Sequence, residues 1–415
     1  MTELSNAFKE EIIKGLEMHK KYGLKWVPEL CSLRMLDSCV SKIPNGNEKG
    51  IFYALDFGGT NVRAVRCELI GDGKIISQQS LKNLYECGGE IDLMARETSA
   101  SLLFDVLISN IEELINKNND KEKLNKQPAK LGFTFSFPCA QSELNNSVLE
   151  SWTKGFATGH DTDDPVVGKD VVELLTAAIK RKGLGLECAA VVNDTVGTLL
   201  SCCYQKGVSS PPCTVGVILG TGSNCCYLEP QAKEYNYKGN IINVESVRLL
   251  CLQILQDKAP PKAKVEFSFD AKLAAVLAAT MIPEETGGTG AAGAAAGAAA
   301  GGAGGAAGEE AAAARVKEIL KDNWQWEATR EEINIMRNIS FAVFDRSAAL
   351  AAISIAVLTE RSKALENNGK VTVAVDGSLY VRNKWYGKRI EYYLYNLIGI
   401  NKQERIILRA ADDGS

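Results

Sequence analysis

Residues 51–63 read Ile51-Phe52-Tyr53-Ala54-Leu55-Asp56-Phe57-Gly58-Gly59-Thr60-Asn61-Val62-Arg63. The first five are apolar at consecutive positions, the mark of a strand covered on both faces. No proline interrupts the passage into the Gly58-Gly59-Thr60 turn, and residues 62–69 read as the returning strand of a hairpin. Glycines there let main-chain N–H groups close on an anion, and a threonine hydroxyl adds a donor. Arg63 is placed to neutralise phosphate charge. A glycine-rich turn serves plain hairpin geometry equally well, and a surface role is the ordinary reading of the arginine.

Downstream the pattern recurs. Residues 215–219 and 224–228 flank Gly220-Thr221-Gly222-Ser223, a second turn of the same chemistry. Helices are expected at about 4–21, around 32–40 and at 98–117, the last with Leu103, Leu107, Ile111 and Leu114 on one stripe. A charged loop is expected at 117–130 and buried strands at 131–137, 189–192 and 371–375. Asp170 caps another helix, with Val171, Leu174, Leu175, Ala178 and Ile179 on its apolar face. Strands interleaved with amphipathic helices indicate α/β architecture. Two similar glycine hairpins indicate two related halves.

Composition narrows the function classes. With 47 Lys+Arg against 51 Asp+Glu, the chain has no electrostatic footprint for nucleic acid or an anionic membrane. Its 415 residues suffice for two or three domains. No run of eighteen large apolar residues is present, so no membrane span is expected. The opening MTELSNAFKEE is acidic and polar rather than a secretory signal, so a cytoplasmic location is expected. The 12 cysteines lack CxxC spacing and have only His19 and His160 as candidate co-ligands, so reduced, structural thiols are expected and no metal site. Between 287 and 314, 25 of 28 residues are Ala or Gly, too little side chain to offset ordering entropy, so a flexible insert is expected.

Three more segments carry polar groups at the ends of apolar runs. Asn193-Asp194-Thr195 follows a buried strand, where α/β folds bind ligands, although capping the next helix would occupy Asp194 equally well. Ser136-Phe137-Pro138 and Trp152-Thr153-Lys154-Gly155 bear hydroxyl and amine groups. Each is uninformative alone.

Taken together, these strings resemble the hexokinase family of eukaryotic sugar kinases. The resemblance rests on LDFGGTNVR at 55–63, LGFTFSFPCAQ at 131–141, SWTKGF at 151–156, VVNDTVGTLLSCCY at 191–204, LGTGSNCCYLE at 219–229, DRSAALAA at 345–352 and VDGSLY at 375–380. It implies two actin-like, ribonuclease H-like α/β domains flanking a cleft, one at 48–192 and the other at 1–47 and 193–415. The implied reaction is ATP-dependent phosphorylation of a hexose, glucose first among them, at the 6-hydroxyl, the first step of glycolysis, with Mg²⁺ bound with the nucleotide. By resemblance Asp194 is the catalytic base and Lys154 its partner. Ser136, Phe137, Pro138, Thr153, Asn193, Asn224 and Glu245 line the sugar. Asp56, Gly58, Gly59, Thr60, Asn61, Arg63, Gly220, Thr221, Asp376, Gly377, Ser378, Gly414 and Ser415 face the nucleotide. A monomer or a homodimer is expected, closing on its sugar with Trp152 as reporter.

One departure bears on the site. The family continues after the match to Asn243-Val244-Glu245 with Trp-Gly and a segment holding another sugar-binding glutamate, whereas Ser246-Val247-Arg248 follows here. The intact Asp194 and both turns favour omitted stretches over a defective paralogue. Two rivals stay open: a sugar-sensing hexokinase-like protein that turns over poorly, and an actin-like or heat-shock ATPase. The Ser136-Phe137-Pro138 and Trp152-Thr153-Lys154 motifs oppose the second.

Overall fold

The computed structural model describes residues 1–59, 61–89, 91–205, 211–220, 222–245, 327–366 and 369–411, with single positions at 313, 314, 317, 318 and 321. Thr60, Thr221, Gly414 and Ser415 lie outside the described residues, as does the Ala/Gly tract except at 313 and 314. In chain order the elements are α1 (Thr2–Tyr22), β1 (Leu36–Asp37), β2 (Lys49–Phe57), β3 (Asn61–Gly71), β4 (Lys74–Asn83), α2 (Leu84–Cys87), α3 (Ala100–Lys117) and α4 (Lys121–Lys126). Next come β5 (Ala129–Phe135), β6 (Cys139–Glu143), β7 (Asn146–Leu149), α5 (Val171–Arg181), β8 (Leu186–Val192), α6 (Asp194–Gln205), β9 (Cys213–Leu219), β10 (Ser223–Leu228) and β11 (Ile241–Asn243). The rest are α7 (Arg330–Arg361), β12 (Val371–Asp376), α8 (Ser378–Arg382), α9 (Lys384–Ile398), α10 (Ile400–Gln403) and β13 (Ile406–Ala410). The chain divides into two compact units, one holding Glu11–Ile218 and Asn224–Glu245, the other Met1–Glu10, Leu219–Ser223 and the described residues up to Ala410.

In the first unit one sheet has the order β4-β3-β2-β5-β8. β2 pairs antiparallel with β3, placing Asp56 opposite Arg63, and parallel with β5, placing Phe57 opposite Phe135. The hairpin expected from the sequence is therefore present. α3 and α5 pack together on one face of the sheet: Leu55, Phe57 and Phe133 share one core with Leu103, Leu107, Ile111 and Leu114 of α3 and Leu175 and Ala178 of α5. Phe52 and Ala54, on the opposite face, are only half-buried, so β2 is less completely covered than its apolar run led one to expect. Ser99 caps α3 by accepting from the Leu102 N–H, and Asp170 caps α5 by accepting from the Val172 N–H at 3.0 Å. A second run of strands in this unit has the order β1-β11-β10-β9.

The helix expected around 32–40 does not form. Glu11 on α1 accepts from both the N–H (3.0 Å) and the hydroxyl (2.6 Å) of Ser32, and Met35 and Cys39 take φ of 47° and 55°. Those left-handed residues break a helix, and the segment instead supplies β1, whose Leu36 pairs with Asn243 of β11. The loop expected at 117–130 contains the short α4.

In the second unit β12 and β13 pair in parallel, Val371 to Ile406 through Val375 to Ala410. The 32-residue α7 opens on a capping box between Thr329 and Glu332. It is long and apolar enough to cross a membrane by length and composition, and just over half of that apolar window is buried inside the protein. Asp345 on α7 accepts from Arg389 (2.6 Å) and Tyr393 (2.5 Å) of α9, fixing the two helices together.

Candidate active site

The polar residues of the first unit gather where its strands end. β8 runs directly into α6, and Asn193 at that junction is the cap. Its main-chain oxygen accepts from Gly197 N–H (3.0 Å), while its Oδ1 accepts from the N–H (3.1 Å) and hydroxyl (2.9 Å) of Thr195. Asp194 Oδ1 also accepts from the Thr195 N–H, at 2.8 Å. Asn193 and Asp194 thus share the Thr195 N–H at the start of α6.

Three residues from β10, β11 and the turn after β11 meet this junction. Asn224 Nδ2 donates toward Asn243 Oδ1 (2.9 Å), Asn193 Oδ1 (3.3 Å) and Glu245 Oε1 (3.4 Å), and its own Oδ1 accepts from Cys225 N–H at 2.8 Å. Asn243 Nδ2 donates to Glu245 Oε1 at 3.3 Å. Glu245 holds a left-handed φ of 51°. Burial, then the charge of Asp194, lifts its carboxyl above the ordinary glutamate range, opposed by Arg34, Asn243 and Lys154.

Lys154 also sits in the left-handed region, φ 58°. Its ammonium donates to the main-chain oxygens of Ser136 (2.9 Å) and Gly58 and lies 5.1 Å from the centroid of the Phe137 ring. Burial lowers its pKa below that of an ordinary lysine, while Asp194, Glu245 and Asp56 act in the other direction. Lys154 thus ties the β2–β3 turn to the 136–138 segment. Beneath it Phe137 is 3% exposed and packs against Trp152 (4.8 Å between centroids) and Phe156 (5.2 Å). The Trp152 indole stacks on Phe156 and donates to Thr158 O at 2.9 Å, so it is part of the support of this loop. Ser136 Oγ is buried and makes no hydrogen bond among the described residues.

Of the other expected site residues, Asp56 ends β2 and Asn61 begins β3, exposed, with Asn83 Nδ2 3.5 Å from its Oδ1. Pro138 contributes its carbonyl to Glu150 N–H at 3.0 Å, and Thr153 its carbonyl to Phe156 N–H at 3.1 Å. Gly220, Asp376, Gly377 and Ser378 form a separate group in the second unit. Gly220 N–H donates to Gly222 O (2.9 Å), Gly377 N–H donates to Asp376 Oδ1 (2.6 Å), and Ser378 starts α8. Asn243 was not foreseen as a site residue. The available signal was the two-residue spacing to Glu245, which puts both on one face of an extended chain.

Family comparison agrees with this arrangement. A family model described as Hexokinase matches residues 1–204, and a second, also described as Hexokinase, matches residues 306–415. The hexokinase of Plasmodium falciparum is 39% identical over 437 residues, covering all of this chain and 86% of that protein. The Toxoplasma gondii hexokinase is 39% identical, covering all of this chain and 92% of that one. A hexokinase crystal structure, 60% identical, superposes with a TM-score of 0.82 over the whole chain and 92% of its own. The Schistosoma mansoni hexokinase solved in complex with glucose is 26% identical, with a TM-score of 0.69, again over the whole chain and 92% of its own. Two strand-turn-strand motifs, the gathering of Asn193, Asn224, Asn243 and Glu245, and identity along the full chain thus agree, and the chain belongs to the hexokinase family, enzymes that phosphorylate hexoses with ATP.

Proposed function

We propose that this enzyme phosphorylates glucose at its 6-hydroxyl in the cytoplasm, as the first step of glycolysis, with Asp194 as general base. The supporting observation is the balance of donors and acceptors around Asn224. Its two N–H bonds are shared among three acceptors, the oxygens of Asn193, Asn243 and Glu245. A site short of donors suits a ligand that brings several hydroxyl groups, and the unpartnered Ser136 hydroxyl offers one more contact. Such a site rejects ligands lacking a hydroxyl, because its own buried groups are then left unpaired.

The chemistry follows from charge. Asp194 accepts the proton of the sugar hydroxyl, and the oxygen so activated attacks the terminal phosphate of ATP. Lys154 keeps positive charge beside Asp194 and holds the β2–β3 turn in place. Among the described residues, and apart from its own chain neighbours, nothing lies within 4 Å of the place a Cβ on Gly59 would take, a gap that fits a phosphate brought against the main chain. Mg²⁺ is proposed to come with the nucleotide, held by its phosphates. That ion supplies charge neutralisation when bound. Sugar binding is proposed to drive a closure that excludes water, suppressing hydrolysis of ATP.

A coupled assay for ADP release, with and without glucose, tests the reading. Release that depends on glucose and yields a 6-phosphate is expected. Equal ADP release without sugar would replace the kinase reading with an ATPase.

A further inference from the structure

We propose that Asn243 is a positioning residue for sugar recognition, holding Asn224 and Glu245 in the orientation that reads the hydroxyls. The proposal rests on the reading above, in which Asn224 and Glu245 face the sugar.

Asn243 is 4% exposed and sits at the end of β11, held from one side by the β1 pairing and from the other by β10. An amide has one accepting end and one donating end, and here each end has a different task. Its Oδ1 accepts from Asn224 Nδ2 (2.9 Å), while its Nδ2 donates to Glu245 Oε1 (3.3 Å). The first contact fixes which way the Asn224 amide faces. With Nδ2 committed toward Asn243 and Asn193, Asn224 Oδ1 turns to the Cys225 N–H. The second contact supplies a donor to a carboxylate that burial and Asp194 both push toward the protonated form. Glu245 is also in a left-handed backbone conformation, φ 51°, which carries a conformational cost for a non-glycine residue. A buried donor aimed at its carboxylate favours the charged, accepting state that a sugar hydroxyl needs. Asn243 thus sets two sugar-facing groups at once without being placed among the sugar ligands itself.

Asn243→Asp separates these tasks, since it keeps the shape and the acceptor for Asn224 but removes the donor and adds a like charge beside Glu245. Expected are a glucose KM raised on the order of 10-fold or more, a kcat within about 3-fold and an unchanged ATP KM. The glucose KM should also become strongly pH-dependent, recovering as pH falls and one of the paired carboxyls is protonated. Asn243→Ser, smaller and neutral, should raise glucose KM without acquiring that pH dependence. A merely structural role would lower Tm and leave the pH profile of KM unmoved. Either that pattern, or both variants failing to fold, overturns the proposal. Asn224→Asp and Glu245→Gln are measured alongside. If those two keep the parent glucose KM, the sugar-facing reading itself fails. If they lose affinity and Asn243→Asp does not, only the positioning role fails.

Discussion

Two strands of this protein, β2 and β12, each carry at or beside their last position an aspartate followed within two residues by glycine, and the glycines differ in what they are for. After β2, among the described residues beyond its chain neighbours, a Cβ on Gly59 would meet nothing within 4 Å, and one on Gly58 would meet the side chain of Ser136, at 3.2 Å. After β12, Gly377 holds φ at +105°, and a Cβ there would lie 2.3 Å from Leu219 O and 2.9 Å from Gly220 N. The first turn is open, leaving room at a main chain that an anion can approach. The second is closed, since glycine is what lets two stretches of main chain meet. A glycine after a buried strand therefore carries no single message: Gly59 leaves space beside the main chain, and Gly377 lets two stretches of main chain meet.

The largest effect expected comes from the chemistry of the open region. Asp194→Asn keeps the size of the side chain and loses its capacity to take a proton, so kcat should fall about 10²–10⁴-fold. Because Asn193 also accepts from the Thr195 N–H, and an asparagine at 194 keeps an amide oxygen for it, Tm should hardly move. A near-normal kcat in a protein with reduced Tm would return Asp194 to a capping role and erase the contrast.

The closed turn should fail in the opposite way. Gly377→Ala combines a left-handed φ with an overlap against backbone, and should cost about 2–5 kcal/mol, read as a lowered Tm. Gly59→Ala makes the matched experiment. With open space around it and no left-handed φ, this change should stabilise the protein by about 0.4–1 kcal/mol while raising the KM for ATP several-fold. Equal loss of Tm in both variants would show that the two turns do the same work.

A smaller effect concerns Glu245. Its carboxyl pKa is raised in the folded protein, so the folded chain binds more protons than the unfolded chain between the ordinary glutamate value, about 4.3, and the raised one. Stability from this group is therefore lost as pH rises through that window. Glu245→Gln should melt later than the parent at neutral pH, by about 1 kcal/mol, with the gain shrinking toward pH ~4, while its glucose affinity falls. Melting curves across pH check this, and a gain that persists unchanged at low pH would remove burial of charge as its cause.

The smallest expected signal is optical. Trp152 is held by Thr158 O and by Phe137 and Phe156, so saturating glucose should produce a modest change in intrinsic fluorescence that Trp152→Phe abolishes. Calorimetrically detected glucose binding with no change in fluorescence or small-angle scattering would end the closure proposal.

Much of this was legible in the chain itself. The continuous apolar run at 51–55, the glycine turn after it, and the stripe Leu103, Leu107, Ile111 and Leu114 fix a hairpin and a sheet-covering helix, because burial on both faces or on one leaves its period in neighbouring residues. The motif strings, read as a resemblance, also named the family that the comparisons show. What the sequence alone did not carry was the meeting of Asn193, Asn224, Asn243 and Glu245. The contacts of Asn224 with the other three join residues 19 to 31 apart and depend on the register in which β1, β11 and β10 pair. The misread helix around 32–40 has the same origin. Glu11 and the β1–β11 pairing claim that segment, and its local helical tendency, worth a fraction of a kcal/mol per residue, yields to hydrogen bonds and burial that exist only once distant parts of the chain have come together.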